Sequence, residues 1–182
     1  MTILALGVLL SPVDQAASGS PAPRGQGHAI LESMAGQWEI AGRVWPEGPH
    51  STPIHDRGTA SARWVAGGST LLLDVKGTQA GQPFAGLGLL SVDTLRKKVV
   101  MVWSDNTSGA LFRTEGPIVP AGHTLQLLGQ SDDPSTGALD RWWRVDIRET
   151  SQGFTIEYHD LSRPRDETLM FESRYVRAVG KE

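Results

Sequence analysis

Ten short runs of strand-forming residues follow one another along this chain, and no helix-length segment separates any two of them. They span residues 37–45, 57–66, 69–76, 84–92, 98–104, 109–115, 122–130, 139–149, 152–160 and 167–178. Turn formers fill the gaps: Gly67-Gly68, Gly77 to Gly81, Asn106 to Gly109, Asp132 to Gly137, Ser151 to Gly153 and Ser162 to Asp166. Within the runs, apolar and polar residues alternate. Trp143, Val145 and Ile147 share one face, while Arg144, Asp146 and Arg148 take the other; Phe154, Ile156 and Tyr158 alternate with Thr155, Glu157 and His159. A period of two over successive strands describes an antiparallel sheet buried on one face. Proline cannot donate to a central ladder, and the eleven prolines fall in the N-terminal segment, in connections or at strand edges. A meander this long escapes exposed edges most simply by closing on itself. The expected fold is therefore all-β: one antiparallel up-and-down barrel of about ten strands. α/β folds are excluded, and no repeat of solenoid or propeller kind is present.

The N-terminal part reads differently. Residues 28–35 are compatible with a short helix, with Ile30, Leu31 and Met34 on one face and Gly36 ending it. This helix is expected to cap one end of the barrel. Before it, Ile3 to Leu10 forms an apolar stretch, and Ala16-x-Ser18 would allow cleavage before Gly19. The stretch has the core and cleavage site of a signal peptide and lacks a basic n-region, since no Lys or Arg precedes Arg24. The expectation is an exported protein, periplasmic or secreted, with residues 1–27 as signal peptide and linker and 28–182 as the barrel domain. The 182 residues suffice for one sizeable core. With no cysteine, thiol catalysis, disulfides and Cys-based zinc sites are excluded. A net charge of −3, with Lys and Arg dispersed, offers no stripe for nucleic acid. No apolar run is long enough to span a membrane as a helix.

In a closed meander with an even number of strands, the first and last pair antiparallel. The start of the first then lies beside the end of the last, so Trp38 and Arg177 are expected to meet. A guanidinium over an indole is worth about 0.5–2 kcal/mol. The pair reads as a structural floor, with Arg177 as a ligand anchor the less favoured role. Trp103 shares a face with Val99 and Met101 and leads into the turn-forming Asp105 to Gly109. It is either a core aromatic closing into a turn or a ligand-stacking wall at the mouth. Gly86 and Gly88, on the face of Phe84, either hollow out a cavity or let a neighbour approach the backbone. Arg113 and Glu115 share a strand face, as do Arg141 and Trp143; such a charge either orients a polar ligand group inside the barrel or, the commoner case, pairs across strands on the wet face. The candidate ligand-binding set is Trp103, Phe84, Arg113, Trp143 and Tyr158. No catalytic residue is proposed, since nucleophile elbows and zinc-protease motifs are absent. No metal site is proposed either: His50, His55 and Asp56 share a proline-rich loop, where histidines are usually solvated.

The residues His28-x-x-Leu31, Gly36-x-Trp38, Gly67-Gly68, Phe84-x-Gly86-x-Gly88, Asp93, Trp103-x-Asp105 and Tyr175-x-Arg177 together resemble the uncharacterised bacterial family called domain of unknown function 1579. The resemblance runs over roughly residues 28–178. It departs at Ser91-Val92-Asp93, where the family usually carries Gly-Tyr-Asp. It implies a calycin-like barrel, related in shape to lipocalins and fatty-acid-binding proteins, and implies no activity. Three functions stay open. The leading one is a non-enzymatic binder of a small, mostly apolar ligand. The second is an enzyme or a haem barrel of nitrobindin type, with His123 as the candidate ligand because it shares a face with Leu125 and Leu127. The third is a structural or interaction module. Homo-oligomerisation is left undetermined.

Overall fold

The computed structural model describes residues 25–118, 124–133 and 137–178. The expected signal segment and His123 lie outside these. A six-residue helix α1 (Ala29–Met34) leads into ten strands: β1 (Gly36–Val44), β2 (Ile54–Val65), β3 (Thr70–Gln79), β4 (Gln82–Asp93), β5 (Lys98–Asp105), β6 (Phe112–Pro117), β7 (Thr124–Asp133), β8 (Ala138–Thr150), β9 (Gly153–Asp160) and β10 (Leu169–Arg177). Every strand pairs antiparallel with its sequence neighbours, and β10 pairs with β1 to close the barrel. All ten expected runs are strands, with ends moved by a few residues. The main shifts occur at the turns. Gly77 does not open a turn; it stays in β3, and the reversal falls at Ala80–Gly81, where φ is +49° and +75°. β6 begins at Phe112 rather than at Gly109, because the Asp105 carboxylate holds the preceding residues in a turn.

The closure follows the even strand count. Trp38 is the register partner of Arg177, and the ladder runs on to Val44 and Phe171. The Arg177 guanidinium lies 4.6 Å from the centre of the Trp38 ring and donates to the Ala35 carbonyl at 3.3 Å. Trp38 Nε1 donates to the Met34 carbonyl at 2.8 Å. The indole thus ties the end of α1 to the first strand. Gly36 sits between them at φ +144°, and a Cβ there would run into the Arg177 guanidinium. The Gly-x-Trp motif is one joint: glycine makes room for the arginine that covers the tryptophan. A helix of six residues has no independent stability. It is held by Leu31 and Met34, both fully buried in the barrel floor.

Inward side chains divide the interior in two. Toward α1, Trp38, Leu71, Leu73, Leu90, Val99, Met101, Leu127, Val145, Ile147 and Phe154 are all essentially inaccessible. Phe154 meets Trp38 edge-on at 4.9 Å and stacks on Tyr175 at 4.3 Å. Each such residue contributes about 1.5–3 kcal/mol by leaving water. This half is a packed plug. The other half is not.

Candidate functional site

Away from α1 the barrel encloses a cavity of about 630 Å³, reaching the rim formed by the β1–β2, β3–β4, β5–β6, β7–β8 and β9–β10 connections. Its emptiness has a cause in β1, β2 and β3, where the inward positions are Gly42, Gly58 and Gly77. Gly58 and Gly77 are register partners. A Cβ on Gly58 would come 2.5 Å from the Lys76 carbonyl oxygen, and one on Gly77 would overlap the Arg57 carbonyl. Both positions are confined to glycine by the neighbouring strand, so this wall presents bare backbone to the cavity.

The facing walls are aromatic. Phe84, Trp103, Phe112, Trp143, Tyr158 and Phe171 all line the cavity. Phe84 stacks on Trp103 with ring centres 6.3 Å apart, and Tyr158 meets Phe171 edge-on at 6.2 Å and tilts toward Phe112 at 6.4 Å. Gly86 and Gly88 serve close packing: a Cβ on Gly86 would overlap the Trp103 indole, and one on Gly88 would stand 3.1 Å from it. The two glycines seat the tryptophan against the β4 wall. Burial pushes the Tyr158 phenol up, with smaller contributions from Tyr175 and Asp105, and burial does the same to Tyr175. Both remain neutral hydrogen-bonding groups.

Polar groups converge at the rim. Burial opposes ionisation of Asp105, yet its pKa is lowered, because hydrogen bonds from Thr107, Ser108 and Trp103 outweigh that cost. Trp103 Nε1 donates to Asp105 Oδ2 at 2.9 Å, and Oδ1 accepts from Thr107 N, Thr107 Oγ1 and Ser108 N at 2.7–2.9 Å. Asp56 accepts from Thr78 Oγ1 at 3.1 Å, Ala80 N at 2.9 Å and Gly81 N at 3.3 Å. Across the mouth, Arg141 bridges Asp133 and Asp160, and its guanidinium lies 5.8 Å from the Trp143 ring centre. Two polar atoms of cavity-lining residues, Trp143 Nε1 and Gln79 Oε1, are buried with no hydrogen-bond partner. Each unmet group costs about 1–3 kcal/mol.

Of the expected ligand-binding set, Trp103, Phe84, Trp143 and Tyr158 come together around this cavity. Arg113 does not. It lies on the outer face of β6, exposed, and pairs with Glu115 at 2.7 Å. The alternation parity of β6 sends Phe112 and Thr114 inward and Arg113 outward. The inward arginine is Arg141 of β8, which shares its face with Trp143. Asp56, Asp105 and the inward glycines of β1–β3 are the site features the strand pattern did not single out. Three glycines at one face parity were the available signal. No histidine is among the cavity-lining residues described.

A second polar cluster lies on the outer face. Asp146, Glu157 and His159 bring ligand-type atoms within 4.8 Å of one another. His159 takes the outward parity of β9, with Thr155 and Glu157, yet it is only 8% exposed. Its pKa is lowered, by burial first and the Arg144 charge second. Arg144 and Arg148 already bind Asp146 at 3.1 and 3.3 Å, and Arg148 binds Glu157 at 2.9 Å. Guanidinium groups hold the places a cation would take, and the cluster is a cross-strand ion-pair network on β8 and β9.

Fold and site together define, for the described residues, an up-and-down barrel that is solid at one end and hollow at the other. The sequence pattern of a family described as "Protein of unknown function (DUF1579)" matches residues 23–177, and the chain belongs to that family. Among solved structures it is similar to Rv2717c from M. tuberculosis, at 16% identity and a TM-score of 0.50, over 84% of this chain and 98% of that one. At that identity the likeness concerns the fold alone. Comparison with curated proteins returns no match.

Proposed function

We propose that this protein is a non-enzymatic binder of a small, mostly apolar ligand, held in the hollow half of the barrel. The cavity carries the reading. At about 630 Å³ it falls within the ~300–1,000 Å³ typical of small-molecule sites, and it combines aromatic walls with a few convergent polar groups. The lining also carries Asp56, Asp105 and Arg141 at the rim, which suits an occupant with a polar end of its own. A panel of lipophilic fluorophores, with native mass spectrometry of freshly purified protein, tests it. The expected result is saturable fluorophore binding that a co-purifying or added small molecule displaces. No binding by any probe and no retained mass would overturn the reading.

Export accompanies this proposal as an independent element, supported by the apolar stretch Ile3 to Leu10 and the small residues before Gly19. N-terminal sequencing of protein from the periplasm or medium is expected to begin at Gly19. An unprocessed chain confined to the cytoplasm would remove export and leave the cavity reading intact.

A further inference from the structure

Charge is distributed unevenly around the cavity mouth. On the β7–β9 side, the inward carboxylates Asp133 and Asp160 are both bound by Arg141, and Arg163 stands 3.5 Å from Asp160. Carboxylate and guanidinium charges there offset one another. On the β2–β5 side the inward carboxylates are Asp56 and Asp105, and both are held by neutral donors only. Neither has an ion-pair partner among the described residues. Arg43, Arg57 and Lys76 also belong to the cavity lining, but all three take the outward parity of their strands, and Arg43 is paired with Glu172.

The two carboxylates flank one hairpin. Asp56 grips the Ala80–Gly81 turn between β3 and β4. Asn106, beside Asp105, bonds the first residues of β4 through Ala85 N at 2.9 Å and the Pro83 carbonyl at 3.1 Å. The stacked pair Phe84 and Trp103 lies on the same side of the cavity. Asp105 Oδ2 accepts a single hydrogen bond, from Trp103, although a carboxylate oxygen accommodates two. The Asp105 charge is felt inside the cavity, where it helps raise the Tyr158 pKa.

Building on the cavity-binding reading above, we propose that the ligand is a cationic amine on an apolar or aromatic body, its ammonium held on the Asp56–Asp105 side and its body against Phe84 and Trp103. An ammonium supplies the hydrogen-bond donor that Asp105 Oδ2 has room for and the positive charge this rim lacks. The faces of Phe84 and Trp103 stabilise the same cation. A carboxylate-headed ligand, such as a fatty acid, would bring a third negative charge to two uncompensated ones and is selected against.

Three matched probes test this: naphthyl-butylamine, naphthyl-butanol and naphthyl-butyrate, titrated by calorimetry at low and raised salt. The amine is expected to bind about tenfold more tightly than the alcohol, a difference of about 1.4 kcal/mol, with the acid weakest. Added salt should shrink the amine's advantage while leaving the alcohol unchanged. Asp105→Asn, which keeps an acceptor for Trp103, should lower amine affinity toward that of the alcohol without weakening the alcohol. If that variant fails to fold, Asp56→Asn and the wild-type salt series make the same comparison. Equal binding of amine and alcohol, or tightest binding of the acid, would overturn the amine proposal and leave the cavity reading standing. Failure of all three probes to bind would overturn both.

Discussion

Trp38 is buried to 1% exposure beneath Arg177, edge-on to Phe154 and hydrogen-bonded to the end of α1. Trp38→Ala is therefore expected to cost about 3–5 kcal/mol in chemical denaturation, the amount typical of a deleted core aromatic. A variant with wild-type stability would show that the floor does not depend on this ring. His159 makes a prediction in pH. Burial holds its folded-state pKa below the ordinary histidine value of 6.5, so the unfolded chain takes up a proton more readily than the folded one. The linked stability is fully present above 6.5 and falls as pH drops from there toward the folded-state pKa. His159→Gln is expected to flatten this dependence in urea melts across roughly pH 5–7. An unchanged slope would mean that the surrounding carboxylates carry it.

Among the strands, the ladders differ in length. β3 and β4 register from Thr70↔Ser91 to Gln79↔Gln82, whereas the described residues of β6 and β7 register only from Arg113↔Gln130 to Glu115↔Leu128. A short ladder shields fewer amides. Hydrogen exchange is expected to be faster in β6 than in β3 and β4, read at peptide level by mass spectrometry; equal protection would show that the barrel opens only as a whole. The register shifts in β7 at Ser131–Asp133 and in β10 at Leu169–Phe171 both occur at the mouth. Bulges bend a strand and re-aim its side chains, and these two sit where the rim turns Asp133 and Phe171 toward the cavity.

For the molecule as a whole, stability and binding are segregated along the barrel axis. The floor half holds the fully buried aliphatic side chains, and the mouth half holds the cavity and its polar rim. A substitution that fills the hollow half should therefore affect binding without dismantling the core. Ser173 on β10 lines the cavity, and Ser173→Phe is expected to keep stability within roughly 1 kcal/mol of wild type, since the added ring enters empty space rather than a packed core. It should weaken fluorophore binding at least about tenfold, equivalent to about 1.4 kcal/mol. Undiminished binding would place the ligand elsewhere.

Strand number, antiparallel order, closure and the Trp38–Arg177 contact were all legible in the chain, because period-two alternation and turn residues are local signals and parity then dictates which ends meet. The inward placement of Phe84, Trp103, Trp143 and Tyr158 was legible for the same reason, since they occupy the inward parity of their strands. The outward placement of Arg113 was not settled by sequence, because the adjacent apolar residues Leu111 and Phe112 leave the parity of this short strand open until its ladder partners are known. The role of Gly86 and Gly88 could not be chosen from sequence, since a missing side chain reads alike whether it leaves a void or admits the Trp103 ring. Whether the barrel was solid or hollow depended on how far its walls stand apart. That distance is set by closure of all ten strands together, which brings residues as distant in the chain as Gly42, Trp103 and Tyr158 around one cavity.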